Sequence, residues 1–294
     1  MYQAAASPWL VPFDGTFSMD HAPTTMPDRP SKKEARRDLA ERVEEIAELQ
    51  RVMYAHDHHS VLCVFQAMDA AGKDSTVRHV FSGVNPAGCQ VFAFKQPSST
   101  ELDHDFLWRT TCRNPERGRI GVFNRSYYEE VLVVRVHPSF LDGQRLPHRK
   151  EGEAPGKAFW EGRYASIRDH EAHLARSGTL VLKFFLNVSR DEQRERFLAR
   201  IEDRSKNWKF SRHDLSERAL WPKYMEAYED ALNATSRPWA PWYAIPADDK
   251  SAMQLAVATI LAENLKALDM RYPRLHTAAL DELEACRQRL LAED

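Results

Sequence analysis

Ser60-Val61-Leu62-Cys63-Val64-Phe65-Gln66-Ala67-Met68-Asp69-Ala70-Ala71-Gly72-Lys73-Asp74-Ser75-Thr76 decides the fold. The segment from Ser60 to Ala67 is short, apolar and rich in β-formers. That is the pattern of a strand buried on both faces of a parallel sheet. Small residues follow, and a helix can start near Lys73 and run to Phe81. A phosphate-binding loop needs small residues so that backbone N–H groups can curl around an anion. It also needs a helix N-terminus behind the anion and a lysine that reaches it. Strand, loop and helix in this order predict such a loop over Ala70, Ala71, Gly72, Lys73, Asp74 and Ser75. The match to G-x-x-x-x-G-K-[ST] is imperfect, because Ala67 replaces the first glycine and Asp74 the hydroxyl residue. Asp69 stands inside the cradle. A carboxylate there is unfavourable unless a metal or a proton offsets it. A Mg²⁺ ligand or a group that orients an attacking oxygen explains it, and the bland alternative is a turn cap.

Working outward, Cys89–Phe94, Arg119–Asn124, Thr179–Val188 and Trp242–Ile245 read as four further strands. Helical patterns fill Asp103–Cys112, Lys157–Arg176, Arg190–Arg200, Ser216–Ala234 and Lys250–Leu268. Alternating strands and helices predict an α/β fold, a parallel sheet with helices on both faces. Ser31 is a helix N-cap with Glu34 three residues on, a capping box. Leu39, Val43, Ile46, Leu49 and Met53 then continue an amphipathic helix to Tyr54. Residues 1–30, rich in Pro, Ser, Thr and Ala, read as an arm that is extended on the domain or partly disordered. Residues 31–294 then form one domain.

The chain has 294 residues and a formal net charge of -2, with 43% hydrophobic and 29% charged residues. These are values of a globular enzyme and not of a generally basic nucleic-acid coat. Cys63, Cys89, Cys112 and Cys286 lack zinc or disulfide spacing, which fits a reducing, cytoplasmic setting. No signal or membrane segment is expected. The first basic residue is Arg29, the apolar stretch at Val61–Met68 is short, and that at Leu180–Val188 contains Lys183. His56, Asp57, His58 and His59 read as an exposed turn before a strand. Trp160, Trp208, Trp221, Trp239 and Trp242 read as core or interface anchors.

Several long motifs resemble the polyphosphate kinase 2 family, and together they cover Ser31 to Leu268. They are QAMDAAGKDSTVRHVFSGVNP (66–86), FKQPSSTELDHDFLWR (94–109), IGVFNRSYYEEVLVVRVHP (120–138), RIEDRSKNWKFSRHDL (200–215) and PWYAIPADDK (241–250). The resemblance implies a three-layer P-loop kinase fold similar to thymidylate kinase, with a helical lid at about 200–215. It implies phosphate transfer from inorganic polyphosphate to nucleotides with Mg²⁺. The common form has D-R-S and Gly-Lys-Gly, whereas this chain has Asn124-Arg125-Ser126 and Gly72-Lys73-Asp74. These departures, with Glu129, are similar to a class III pattern accepting AMP and ADP and giving ADP and ATP. The resemblance also suggests a homodimer or homotetramer.

The charges agree with a polyanionic substrate. Residues 109–125 hold five arginines and one acid, and residues 190–212 hold eight basic residues and five acids. Arginine suits bidentate phosphate contacts, and a basic lid excludes water. The expected catalytic residues are Asp69, which would also hold the metal, with Lys73, Arg125 and Arg204. Lys95, Arg109, Arg125, Arg200, Lys206 and Lys209 join the loop in binding phosphate. Asn124, Glu129 and Arg135 are expected at the nucleotide. Asn124 stands where a carboxylate usually holds Mg²⁺. Either Asp69 and Glu129 carry more of the metal's charge, or Glu129 selects AMP. His104 and Asp105 are explained equally by helix packing. Two rivals remain open: a nucleoside monophosphate kinase using ATP, and a silent module that binds polyanions.

Overall fold

The computed structural model describes residues 2–293, except the side chain of Lys209; Met1 and Asp294 lie outside the described residues. Five strands form one sheet: β1 (Ser60–Gln66), β2 (Cys89–Ala93), β3 (Ile120–Asn124), β4 (Thr179–Asn187) and β5 (Trp242–Pro246). Their order is β2-β3-β1-β4-β5 and every pairing is parallel. β1, β4 and β5 are buried along their whole length, which is why they read as unbroken apolar runs. β2 is an edge strand and half exposed.

The main helices are α1 (Lys32–His56), α2 (Lys73–Val80), α3 (Lys157–Arg176), α4 (Arg190–Glu202), α5 (Arg212–Ala219), α6 (Trp221–Thr235), α7 (Lys250–Lys266) and α8 (Thr277–Leu291). α1, α2 and α7 pack together, while α3 packs on β4 and against α6. α1 begins at the expected capping box: Ser31 Oγ accepts from Glu34 N–H, and Glu34 accepts from Ser31 N–H. It ends at Asp57, whose φ of 53° leaves the helical region.

Two expected helices are broken. Of Asp103–Cys112 only the single turn Trp108–Thr111 is helical, and a separate turn, Ser99–Leu102, ends just before Asp103. Asp105 accepts from Leu107 N–H at 2.9 Å, so a local side-chain bond competes with the helical ladder between them. Ser216–Ala234 divides at Leu220 into α5 and α6, because Pro222 in the first turn of α6 has no N–H to continue α5. α8 has no buried residue.

The N-terminal arm lies on the free edge of β5. Leu10 bridges Tyr243 in antiparallel fashion, Val11 N–H donates to Trp242 O at 2.9 Å, and Ala244 N–H donates to Trp9 O at 2.8 Å. Val11 is buried there. Covering an open edge in this way removes a pairing template. Among the described residues, no helix is long and apolar enough to cross a membrane.

Behind β3 and β4 sits a closed polar network. Lys183 Nζ donates to Glu171 Oε2 at 2.6 Å, to Tyr128 Oη at 2.9 Å and to Thr235 O at 2.9 Å. Tyr127 and Tyr128 each donate to Glu171 Oε1 at 2.9 Å. Burial lowers the Lys183 pKa to about 8, opposed by Glu171, and raises that of Glu171. Removing one partner of a buried pair strands the other charge. Lys183→Met is therefore expected to cost about 3–5 kcal/mol of stability, read from the midpoint of urea unfolding. An unchanged midpoint contradicts this.

Candidate active site

In a parallel sheet the carboxyl ends of the strands leave a crevice where ligands bind. Here that crevice is a cavity of about 1070 Å³. Its floor is the β1–α2 loop. One wall comes from the end of β3, another from α4 and α5.

The loop is shaped by two residues in the left-handed region, Ala70 (φ 61°) and Gly72 (φ 109°). Alanine there costs about 1–2 kcal/mol, strain of the kind found at functional sites. Gly72 is required, since an added Cβ lies 3.2 Å from Met253 Cε besides the strained φ. Ala71 N–H closes the turn onto Met68 O at 3.3 Å. Gly72 is the N-cap of α2, so the orphan N–H groups of the first helical turn stand at the loop's end. The Ser75 and Thr76 hydroxyls both donate to Gly72 O, at 2.9 and 3.0 Å.

Lys73 is buried and donates to Ala67 O at 2.6 Å and Met68 O at 3.3 Å. Burial, then the Arg125 charge, lowers its pKa to about 8, against the opposite pull of Asp69, Glu129 and Asp74. Arg125 follows β3 with a positive φ of 65°, and its N–H crosses to Phe65 O on β1 at 3.0 Å. The turn brings its guanidinium to Asp69, with Nη2 3.0 Å from Oδ1, and Nη1 to within 3.9 Å of Glu129. Glu129 and then Asp69 raise the Arg125 pKa, opposed by burial. Asn124 Nδ2 donates to Asp74 Oδ1 at 2.7 Å. The two positions that depart from the common family pattern are therefore direct partners.

The cavity brings together Asp69, Ala70, Ala71, Gly72, Lys73, Asp74, Ser75, Lys95, Asn124, Arg125, Glu129, Arg200 and Lys206. Three expected residues are not among its lining. Arg109 donates to Lys95 O at 2.7 Å and lies over the Phe94 ring, so it supports the Lys95 segment from outside. Arg135 pairs with Asp230 of α6 and donates to Tyr164 Oη at 2.6 Å. Arg204 is exposed beyond α4. Lys209 ends the short turn Asn207–Lys209, and its side chain lies outside the described residues. The stretch expected as a lid, 200–215, comprises the end of α4, that turn and the start of α5.

Sequence reasoning missed several groups at the cavity. Glu217 is buried and accepts from Tyr224 Oη and from His137 Nε2 at 2.9 Å. Tyr224 and Tyr228 line the same wall. Their i,i+4 spacing was available as a signal, but it equally describes a core-facing helix. Arg196, which lines the cavity, and Gln193 beside it on α4 bond to the loop itself, a pairing that charge counts over 190–212 do not carry. The His56–His59 turn holds no metal cluster. Among the described residues, no group of three or more His, Cys, Asp or Glu is placed to hold a metal ion.

A parallel α/β sheet, a loop with the form of a phosphate loop between β1 and α2, and a cavity at the strand ends lined by charges of both signs define a P-loop phosphotransferase. The sequence model of the polyphosphate kinase 2 family matches residues 29–273, and the chain belongs to that family. An ADP-polyphosphate phosphotransferase of Rhodopseudomonas palustris is 58% identical over 253 residues, which is 86% of this chain and 86% of that one. An AMP/ADP-polyphosphate phosphotransferase of Meiothermus ruber is 45% identical over 80% of this chain and 82% of that one. The crystal structure of polyphosphate kinase 2 from Arthrobacter aurescens TC1 superposes with a TM-score of 0.82. It is 36% identical, covering 96% of this chain and 99% of that chain.

The Lys73 shift has a consequence in pH. With a pKa lowered from 10.5 to about 8, the ammonium is charged below pH 8 and neutral above it. Its attraction for a phosphate is lost as pH rises. In the free enzyme, reported by kcat/KM for the phosphate donor, a fall is expected as pH passes about 8. A profile flat to about pH 9.5, well beyond the range of a pKa near 8, contradicts the role.

Proposed function

We propose that this protein is a polyphosphate-dependent nucleotide kinase that transfers the terminal phosphate of inorganic polyphosphate to AMP and ADP, giving ADP and ATP. The observation that carries the reading is the single cavity holding the loop, Lys73, the Asp69–Arg125 pair and the cations Lys95, Arg200 and Lys206. It suits a long anion entering at the loop and an acceptor on the Glu129, Tyr224 and Tyr228 side. The two curated relatives support the donor, and the Meiothermus ruber protein's name includes AMP as well as ADP.

The terminal phosphate sits in the loop around Ala70 to Lys73. A phosphate oxygen of the acceptor attacks it in line, and the shortened polyphosphate leaves. Charge building on the equatorial and leaving oxygens is met by Lys73, Arg125 and the cations of α4 and the turn after it. No covalent enzyme intermediate is needed.

Mg²⁺ fits this site. It takes one or two carboxylates, waters and substrate phosphates, not a protein-only cage. Asp69 would hold it, with Asp74 and Glu129 as the other carboxylates at the cavity. Bound there, the ion would supply charge neutralisation for the phosphates. Asp69 is meanwhile oriented by Arg125.

The reading extends to a reducing, cytoplasmic setting, which suits the exposed free thiols of Cys112 and Cys286. It also extends to a homodimer or homotetramer with no nucleic-acid or membrane partner. Supplying AMP with polyphosphate, Mg²⁺ and no ATP is expected to yield ADP, then ATP. Lack of product, with turnover restored by ATP as donor, favours an ATP-dependent monophosphate kinase. Salt-sensitive polyphosphate binding without turnover favours a silent binder. Lys73→Ala and Asp69→Asn are each expected to abolish transfer while leaving the circular dichroism spectrum unchanged. Near wild-type turnover in either folded variant removes the role assigned to that residue.

A further inference from the structure

Arg196 lies nearly two turns inside α4, within the stretch whose positive charges suggest contact with a polyanion. Its geometry is different from that expectation. A guanidinium has five N–H donors and no acceptor. Nε donates to Glu192 Oε1 at 2.7 Å, one turn earlier on the same helix. Nη1 donates to Ala70 O at 3.1 Å and Ala71 O at 2.7 Å. Nη2 donates to Ala247 O at 2.7 Å and Asp248 O at 3.0 Å. The side chain is 5% exposed. Its donors match five acceptors of the protein itself.

Three parts of the fold are thereby tied together: α4, the phosphate loop and the β5–α7 connection. Gln193, three residues earlier on α4, adds a second tie. Its Nε2 donates to Asp69 O at 2.8 Å, and its Oε1 accepts from Arg218 Nη1 of α5 at 2.9 Å. The carbonyls of Asp69, Ala70 and Ala71 thus accept in succession from α4. Among the described residues, no peptide bond is cis. In a trans peptide the N–H points opposite to the carbonyl, so the N–H groups of Ala70 and Gly72 are turned away from α4. The strained left-handed Ala70 sits between two of these anchored peptides, which is where an external hold is needed.

We propose that Arg196, assisted by Gln193, is a positioning residue that sets the orientation of the phosphate-loop peptides, and is not itself a phosphate ligand. It links the helix leading into the 200–215 segment to the loop that holds the transferred group. The inference rests on the proposed phosphotransfer at this loop. It predicts that shape matters at this position and charge alone does not. Lysine keeps the charge but offers three donors from one point, and cannot bridge carbonyls of two separate loops.

The test compares Arg196→Lys, Arg196→Met and Gln193→Leu with the wild type, using whichever phosphate donor the wild type turns over. A wild type inactive with polyphosphate counts against the function. The variant-to-wild-type ratio alone judges the positioning role. Both Arg196 variants are expected to lose about 10- to 100-fold in kcat, the scale of a small misplacement of reacting groups. The salt dependence of KM for the donor should stay that of the wild type. Gln193→Leu, which leaves the guanidinium in place, should lose kcat in the same direction by a smaller factor. Three results overturn the proposal. One is rescue of kcat by Arg196→Lys. Another is a raised KM with weakened salt dependence in Arg196→Met, as for a direct anion contact. The third is a lowered melting temperature with wild-type kcat per folded molecule. If neither Arg196 variant folds, Gln193→Leu decides, and a wild-type kcat in it overturns the proposal.

Discussion

On the proposed function, main-chain N–H groups at the start of α2 would carry the burden of holding the transferred phosphate. They are donors that need no net charge and no side-chain ordering, and they work only if the loop before them is bent correctly. The bend depends on Gly72, on Ala70 held in a left-handed conformation, and on the short β1 strand that delivers the chain to that point. β1 is the central strand of the sheet, paired with β3 and β4. The same pairing brings Arg125, at the end of β3, over the loop, where it reaches Asp69. The Lys183–Glu171 network holds Tyr127 and Tyr128, the residues just after it, so the buried core and the cavity share one short segment.

Charge is distributed by function rather than by abundance. A chain with a net charge of -2 holds a cavity lined by Lys73, Lys95, Arg125, Arg200 and Lys206. Other arginines close to it are committed to protein acceptors: Arg109 to Lys95 O, Arg135 to Asp230 and Tyr164, and Arg196 to the loop. Lysine at position 73 is buried enough that its proton is held less firmly than usual. A phosphate bound there, as proposed, would supply an opposite charge that offsets the solvation lost on burial.

The fold was legible because its signals are local and strong. Three or more buried apolar residues in a row mark each central strand, and Ser31 with Glu34 marks α1. The loop was readable from Gly72-Lys73 between strand and helix. What stayed hidden depends on three-dimensional pairing. Nothing in one dimension separates Arg196, bonded to carbonyls of two loops, from Arg200, which faces the cavity one turn later. Arg135 carried the same signal as a ligand but folds against Asp230. The Asn124–Asp74 contact joins positions fifty residues apart. The breaks at Asp105 and Leu220 were missed because helical periodicity continued across a local competing bond and a proline.

The most direct measurement is amide hydrogen exchange over residues 67–76, with and without tripolyphosphate, a short form of the proposed donor. Anion binding by the loop predicts slowed exchange in this segment. Unchanged exchange there, with protection appearing elsewhere on the surface, would contradict the loop as the seat of the transferred phosphate.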